Sequence, residues 1–252
     1  MKMLNYLSKM MVAALALLVI SVPVFAANTD SRIESSARQS YVFKTYLQGD
    51  DIKVQSKDGA VTLTGMVNED SHKSLAQDTV NGLPGVKSVD NRLEVKGTPP
   101  SANSDAWLVT KVKTTLLFHR SVSTAKTEVD VKDGIVTLRG TADNQAQKDL
   151  TTEYAKDVEG VKEVNNEMTV KKSLKSKRTA GEKIDDASVT AQVKMTLLYH
   201  RSTSALNTKV ETKRGVVTLT GKANSVAEFN LASKLVNDVR GVKSVKNLMS
   251  VE

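Results

Sequence analysis

The sequence contains no cysteine among its 252 residues. Disulfide bonds, thiol chemistry and cysteine–histidine zinc sites are therefore excluded, so any core must hold by packing alone. A bacterial lipoprotein is excluded as well, because its lipid is attached to a cysteine thiol. An exported protein can fold without disulfides, so the absence does not argue against export.

Catalytic and nucleotide-binding signatures are also missing. No G-x-G-x-x-G run stands before a helix pattern, and no P-loop lysine occurs. His119 and His200 each precede an arginine where a helix is expected to end, and contact with the last helix carbonyls explains them more simply than catalysis or metal binding. A pH-sensitive contact with an acidic partner is a further interpretation. We expect no enzyme activity, no catalytic residue, no metal and no cofactor.

Beyond the N-terminal segment, the sequence has no apolar stretch long enough to span a bilayer. That segment combines two lysines, an apolar run over residues 10–20 and small side chains over residues 24–26. The run is shorter than the roughly 20 residues of a transmembrane helix, and the pattern predicts a signal peptide over residues 1–26. We therefore expect cleavage near Ala26 or Ala27 and a periplasmic protein that is not a lipoprotein, with a retained anchor as the alternative.

What the sequence does contain is one phrase in three copies. It reads DGAVTLTG at residues 58–65, DGIVTLRG at 133–140 and RGVVTLTG at 214–221. A second phrase, Gly-Val-Lys-x-Val, follows each copy at a constant interval. Self-similarity of this kind predicts tandem modules, here of roughly 70 residues each, which have small cores.

Each copy shows the same order of secondary-structure patterns. In the second copy, apolar residues recur at helical spacing from Leu108 to Leu116, after a candidate N-cap at Ser104 or Asp105. A hairpin with an Asp-Gly turn follows, and a second helix is expected to start at Asn144. A last strand completes the module.

This order predicts an α+β fold of three tandem small α-β-β-α-β modules. In each, two helices pack on one face of a three-stranded mixed sheet, and the second and third strands run parallel. Gly160 and its two equivalents mark the expected end of the second helix, and the last strand of the second module is expected over residues 161–170.

The expected boundaries follow from the repeats. They are a first module over residues 27–97 with a degenerate first helix, a linker over 98–103, a second module over 104–170, a basic linker over 171–184 and a third module over 185–252.

At this level the repeat resembles the BON domain, on the strength of [Asp/Arg]-Gly-x-Val-Thr-Leu-x-Gly and Gly-Val-Lys-x-Val-x-Asn at fixed spacing. Three such units cover the chain after the signal peptide. The resemblance implies a non-enzymatic envelope protein with a role in osmotic stress. It also implies association with phospholipid, or a chaperone-like role.

Charge is concentrated in the last third of the chain. Residues 171–252 carry 16 basic and 7 acidic side chains, whereas residues 27–97 carry 9 and 10, and residues 98–170 carry 9 and 11. The linker supplies the densest group of candidate lipid-binding residues: Lys171, Lys172, Lys175, Lys177, Arg178 and Lys183. Anionic headgroups would attract them by roughly 1 kcal/mol each. A solvated, flexible spacer is the alternative.

Trp107 and Lys111 form a second candidate lipid contact. They lie one turn apart on the first helix of the second module, and an indole beside a lysine suits a membrane interface. Packing of Trp107 over the core edge or between modules is the alternative.

The charge distribution and the resemblance together predict a protein that binds anionic phospholipid surfaces of the envelope. A role in envelope maintenance or osmotic stress is implied by the resemblance alone. The alternative is a periplasmic chaperone or adaptor for unfolded or envelope proteins. Export disfavours nucleic acid as a partner, while the oligomeric state and the packing between modules are left open.

Overall fold

The computed structural model describes residues 23–98, 100–171, 183–203 and 207–252. Most of the predicted signal peptide and linker residues 172–182 lie outside this part. Within it, no helix combines the length and apolar character needed to cross a membrane. The first described helix starts at Pro23, so the predicted cleavage near Ala26 or Ala27 falls close to its start, and cleavage stays a prediction.

The first module begins with a broken helix. Its elements are α1 (Pro23–Gln39), α2 (Tyr41–Thr45), β1 (Asp51–Lys57), β2 (Ala60–Val67), α3 (Asp70–Asn81) and β3 (Ser88–Val95). The break between α1 and α2 lies at Ser40, whose hydroxyl accepts from the N–H of Phe43 as an N-cap.

The other two modules repeat one pattern. The second consists of α4 (Asp105–Phe118), β4 (Thr127–Lys132), β5 (Ile135–Ala142), α5 (Gln145–Lys156), β6 (Glu163–Asn166) and β7 (Thr169–Val170). The third consists of α6 (Asp186–Tyr199), β8 (Thr208–Lys213), β9 (Val216–Ala223), α7 (Val226–Asn237), β10 (Ser244–Asn247) and β11 (Ser250–Val251).

The sheets confirm the predicted fold class. The second strand of each module is central, pairing antiparallel with the first strand and parallel with the last. Side chains alternate across it: Val136 and Leu138 of β5, like Val217 and Leu219 of β9, are fully buried beneath the helices. Burial of each such side chain stabilises the fold by about 1.5–3 kcal/mol.

Two local expectations differ from the structure. Helix α5 starts after Asn144 as predicted but ends at Lys156, so Gly160 lies beyond it in a turn with φ of 94°. The last strand is interrupted between β6 and β7, where Met168 N–H donates to Asn166 Oδ1 instead of to the sheet. The residues between α5 and Gly160 are used for contact with the third module.

Helix α6 joins the three modules. Ten of its 14 residues are buried, a distribution found in helices that are covered on all sides. On the side of the first module, Ala187, Ala191 and Met195 enter the same apolar cluster as Ile33 and Leu75. The modules therefore form a packed assembly and not a string of separate units.

The break at Ser40 takes part in this packing. It leaves the first N–H groups of α2 without helical partners. Tyr41 N–H donates to Asp185 Oδ2 at 2.7 Å, and Val42 N–H donates to Ser188 Oγ at 3.1 Å. The degenerate first helix is thus tied to the start of α6.

Candidate functional site

The second and third modules exchange backbone hydrogen bonds just beyond their helices. Arg120 N–H donates to the carbonyl of Asp238, and Arg240 N–H donates to the carbonyl of Phe118, both at 3.0 Å. Arg201 is the third module's equivalent of Arg120, and its N–H donates to the carbonyl of Asp157 at 2.9 Å.

The remaining bond of the set, from Glu159 N–H to the carbonyl of Tyr199, is 3.1 Å long. Each module thus gives and receives the same two bonds, as at an interface with two-fold symmetry.

Two arginine side chains add hydrogen bonds across this interface. Arg120 Nη2 donates to the carbonyl of Asn237, the last residue of α7, and to those of Val239 (3.1 Å) and Val242 (2.9 Å) in the segment after it. Arg201 Nη2 donates in the same way to the carbonyl of Lys156, the last residue of α5, and to those of Val158 (3.3 Å) and Val161 (3.0 Å) after it. A cation at a helix C-terminus is stabilising, because the last carbonyls are unpaired and the dipole is negative there. The carbonyls that these motifs contact belong to the other module.

The two histidines of the motifs are buried between the modules. His119 stacks on Tyr154 with ring centroids 3.8 Å apart, and its Nδ1 lies 3.2 Å from Asp238 Oδ2. His200 Nε2 lies 3.5 Å from Asp157 Oδ2. Burial lowers the pKa of His200 below its ordinary value, and the Asp157 carboxylate opposes this in part.

Asp238 is the most heavily engaged carboxylate of the interface. It lies near His119, and it accepts hydrogen bonds from Ser121 Oγ and from Tyr154 Oη at 2.6 Å. Burial opposes its ionisation, yet these polar contacts together hold the pKa of Asp238 below its ordinary value. Burial and the contact with Asp238 raise the pKa of Tyr154.

The first module lacks the residues for this exchange. Lys44 and Thr45 stand where the other modules have histidine and arginine, and Gly82 replaces the aspartate. Pro84 takes the place of Glu159 and has no N–H to donate. The first module therefore binds α6 by a different route.

Lys111 lies inside the assembly. Its side chain is 5% exposed, with Nζ 4.0 Å from the ring centroid of Trp107, 5.2 Å from that of Tyr199 and 3.4 Å from Glu159 Oε2. Burial lowers the pKa of Lys111, and Glu159 opposes the shift. Both aromatic contacts are cation–π interactions. Trp107 is half-buried against the core of the second module.

Of the predicted linker residues, the structure describes only the two at the ends. Lys171 is exposed, and its N–H donates to the carbonyl of Ala142 at 2.9 Å, at the end of β5. Lys183 is exposed near the N-cap of α6. The others, Lys172, Lys175, Lys177 and Arg178, lie outside the described residues.

One contact that recurs in all three modules, between an aspartate and the hairpin turn, was not predicted from the sequence. Asp105, a candidate N-cap, instead accepts from the N–H groups of Asp133 (2.8 Å) and Gly134 (2.9 Å) in the hairpin turn, while Ser104 caps α4. Asp30 and Asp186 hold the turns of their own modules in the same way. The constant distance between these aspartates and the turns was the available signal.

The described residues contain no group of three or more His, Cys, Asp or Glu side chains that could hold a metal ion. What the interface residues do hold together is the pair of modules themselves.

The chain is similar in sequence to known bacterial proteins. The osmotically-inducible protein Y of Escherichia coli is 32% identical over 146 residues, which cover 56% of this chain and 73% of that protein. The outer membrane lipoprotein DolP of Haemophilus influenzae is 34% identical over 113 residues, covering 45% of this chain and 56% of the relative.

Among solved structures, CdsD, a structural protein of the type III secretion system of Chlamydia trachomatis, is 18% identical and covers 87% of this chain and 90% of its own. Its TM-score of 0.24 is too low to support an argument. The family model described as "BON domain" matches residues 29–97, 104–172 and 185–252. The chain therefore belongs to the BON domain family, with three copies of the domain.

Proposed function

We propose that this protein acts at the bacterial envelope by binding anionic phospholipid surfaces, without catalysis, in envelope maintenance or osmotic stress. The observation that carries the proposal is the charge asymmetry on a repeated scaffold. Residues 171–252 carry 16 basic against 7 acidic side chains, while the two preceding modules are slightly acidic. Anionic headgroups attract clustered basic residues near the surface by about 1 kcal/mol each.

The relatives support the location. One is named as induced by osmotic conditions and another as an outer membrane lipoprotein. The present chain has no cysteine to carry a lipid, so any membrane contact must be non-covalent. Exposed lysines at both described ends of the linker are suited to such a contact.

Trp107 and Lys111 differ in their exposure to solvent. Trp107 is half-buried and retains an exposed portion, whereas the ammonium of Lys111 is enclosed and paired with Glu159. We assign the electrostatic attraction to the linker and the third module. Trp107 then serves as the fluorescent reporter that a vesicle experiment needs.

The test is binding of the mature protein to vesicles of phosphatidylglycerol and phosphatidylcholine, against phosphatidylcholine alone. We expect binding to the acidic vesicles only, and weaker binding as salt shortens the Debye length from about 30 Å at 0.01 M to about 3 Å at 1 M. Equal binding to both vesicles, or none at low salt, would contradict the proposal. Charge substitutions are preferable to truncation at residue 170, because α6 completes the core of the first module.

A groove favours the alternative, a chaperone or adaptor role. It lies between α3, α6 and the edge strand β8, has a volume of about 530 Å³ and includes Leu198 and Val210 in its lining. An extended peptide can add to a sheet edge and place side chains in such a groove. Suppression of aggregation of an unfolded client, without vesicle binding, would favour this function.

A further inference from the structure

The sheet of the third module has one face covered by helices and one open face. Thr190 Oγ1 of α6 donates to Thr212 Oγ1 at 2.8 Å, which fixes the covered side of β8. Successive side chains alternate, so the neighbours of Thr212 and Val210 point to the other side. These neighbours are Lys209, Glu211 and Lys213, and all three are exposed.

The strand register places these residues in rows across the open face. Lys209 is paired with Thr220, and Glu211 is paired with Thr218. On the other side of β9, Lys246 is also paired with Thr218, and Ser250 with Lys222.

Side chains paired in this way stand about 4.5–5.5 Å apart at Cβ. Four lysines therefore share this exposed surface with two glutamates, Glu211 and Glu252.

An apolar side chain stands among them. Asn247 contacts α7 through the carbonyl of Phe229, and Met249 is buried, so both face the helices. Leu248 between them faces the open side, where it is 65% exposed. The lysines and Leu248 together combine attraction for anionic groups with a residue suited to the interfacial region of a bilayer.

The second module provides an internal comparison on the same scaffold. Several positions of the face differ between the two modules. The second module has Glu128, Asn165 and Glu167 at the positions of Lys209, Lys246 and Leu248 in the third module. With Asp130 and Glu163 added, this face has four carboxylates against the three basic side chains of Lys132, Arg139 and Lys171, the last in the place of Glu252. The register is the same in both modules, so the scaffold does not account for the difference.

Two exposed ion pairs on the open face of the third module do not prevent its lysines from contacting an anionic partner. Lys209 Nζ lies 2.8 Å from Glu211 Oε1, and Lys222 pairs with Glu252. The side chains of Lys209 and Lys222 are 72% and 64% exposed, and exposed pairs contribute at most about 1 kcal/mol. Lys213 and Lys246 are exposed as well.

We infer that the open sheet face of the third module, defined by Lys209, Lys213, Lys222, Lys246 and Leu248, is the surface that docks on an anionic bilayer. The inference rests on the proposed function and names the surface that performs it. The lysines of this face are exposed, and its positive charge complements acidic headgroups. Along the edge strand β8, Lys209 also lines the groove between α3, α6 and β8.

The test converts this face to that of the second module. The variant carries Lys209→Glu, Lys246→Asn and Leu248→Glu, and the control carries Lys113→Glu and Lys234→Glu on exposed positions of α4 and α7. Both changes lower the net charge by four. We expect the face variant to bind phosphatidylglycerol–phosphatidylcholine vesicles at least about tenfold more weakly, and the control to change less than about threefold.

The outcomes distinguish failure of the docking face from failure of the proposed phospholipid binding. If the wild type and the face variant bind equally, or if only removal of the linker charges weakens binding, the open face is not the docking surface and the proposed function stands. If the wild type does not bind acidic vesicles at low salt, the proposed function itself fails.

A gain-of-binding variant covers the case in which the face variant does not fold. Glu128→Lys, Asn165→Lys and Glu167→Leu give the second module the residues of the third face. We expect tighter binding to the same acidic vesicles, because a second docking face is added. Unchanged binding of this folded variant would overturn the inference.

Discussion

Arg120 and Arg201 occupy equivalent positions in two modules, and each donates hydrogen bonds to carbonyls at the end of the second helix of the other module and just beyond it. This reciprocity makes the second and third modules a two-fold pair within one chain. It also explains why the histidine–arginine motif recurs twice and is missing from the first module.

Replacing Arg120 by Ala should lower the free energy of unfolding by about 1.5–3 kcal/mol, because hydrogen bonds from a charged donor to helix-end carbonyls are lost. Arg201→Ala should have a similar effect. The matched control is Arg139→Ala, since Arg139 forms an exposed ion pair with Glu167, and its loss should cost less than about 1 kcal/mol. Urea denaturation measures all three. Equal effects for Arg120 and Arg139 would show that the interface bonds contribute little.

The protein should lose stability as the pH falls below about 6.5, the unfolded pKa of histidine. The folded pKa of His200 is depressed by burial, so His200 contributes stability that is present above pH 6.5 and lost as the pH falls through the lower folded value. Asp157, Arg201 and His119 face its ring and modify the size of the loss.

The measurement is the unfolding free energy of wild type and His200→Gln between pH 8 and pH 5, roughly the range of histidine titration. The difference between the two proteins should become smaller, or change sign in favour of the variant, toward low pH. Parallel pH profiles would contradict the assignment.

Lys111→Met should leave the free energy of unfolding unchanged or raise it by up to about 2 kcal/mol, because a buried charge is replaced by an apolar side chain of similar size. Glu159 is 68% exposed, so its carboxylate stays solvated without Lys111. Binding to acidic vesicles should not change. The control is Lys113→Met, two residues away and exposed. A clear loss of vesicle binding in Lys111→Met alone would return Lys111 to the lipid contact.

Phe118→Ala should destabilise the first module although Phe118 belongs to the second. Its ring is fully buried in the first module's cluster, 5.5 Å from the ring of Tyr46. Loss of such a side chain costs about 3–5 kcal/mol. Hydrogen exchange should accelerate in α3 and in β2, the central strand of the first module. A change confined to the second module would mean that the modules are not coupled through this residue.

The periodic patterns and turn residues of the sequence were sufficient for the architecture of each module. Helix starts at Ser104 and Asn144, the glycine turns and the mixed sheet all follow from interactions between residues close in sequence or repeated at fixed spacing. Local propensity and alternation determine these features. The charge asymmetry was likewise visible from the sequence, because counting needs no coordinates.

The tertiary structure decided how side chains on the helix flanks are used. Lys111 stands in a stripe beside the core residues of α4, and the sequence pattern is equally suited to solvent, lipid or another module. Only the approach of α6 encloses it beside Tyr199. The open lysine face of the third sheet likewise depended on strand register. The sequence determined the modules, and contacts between residues distant in sequence determined which of their surfaces remain exposed.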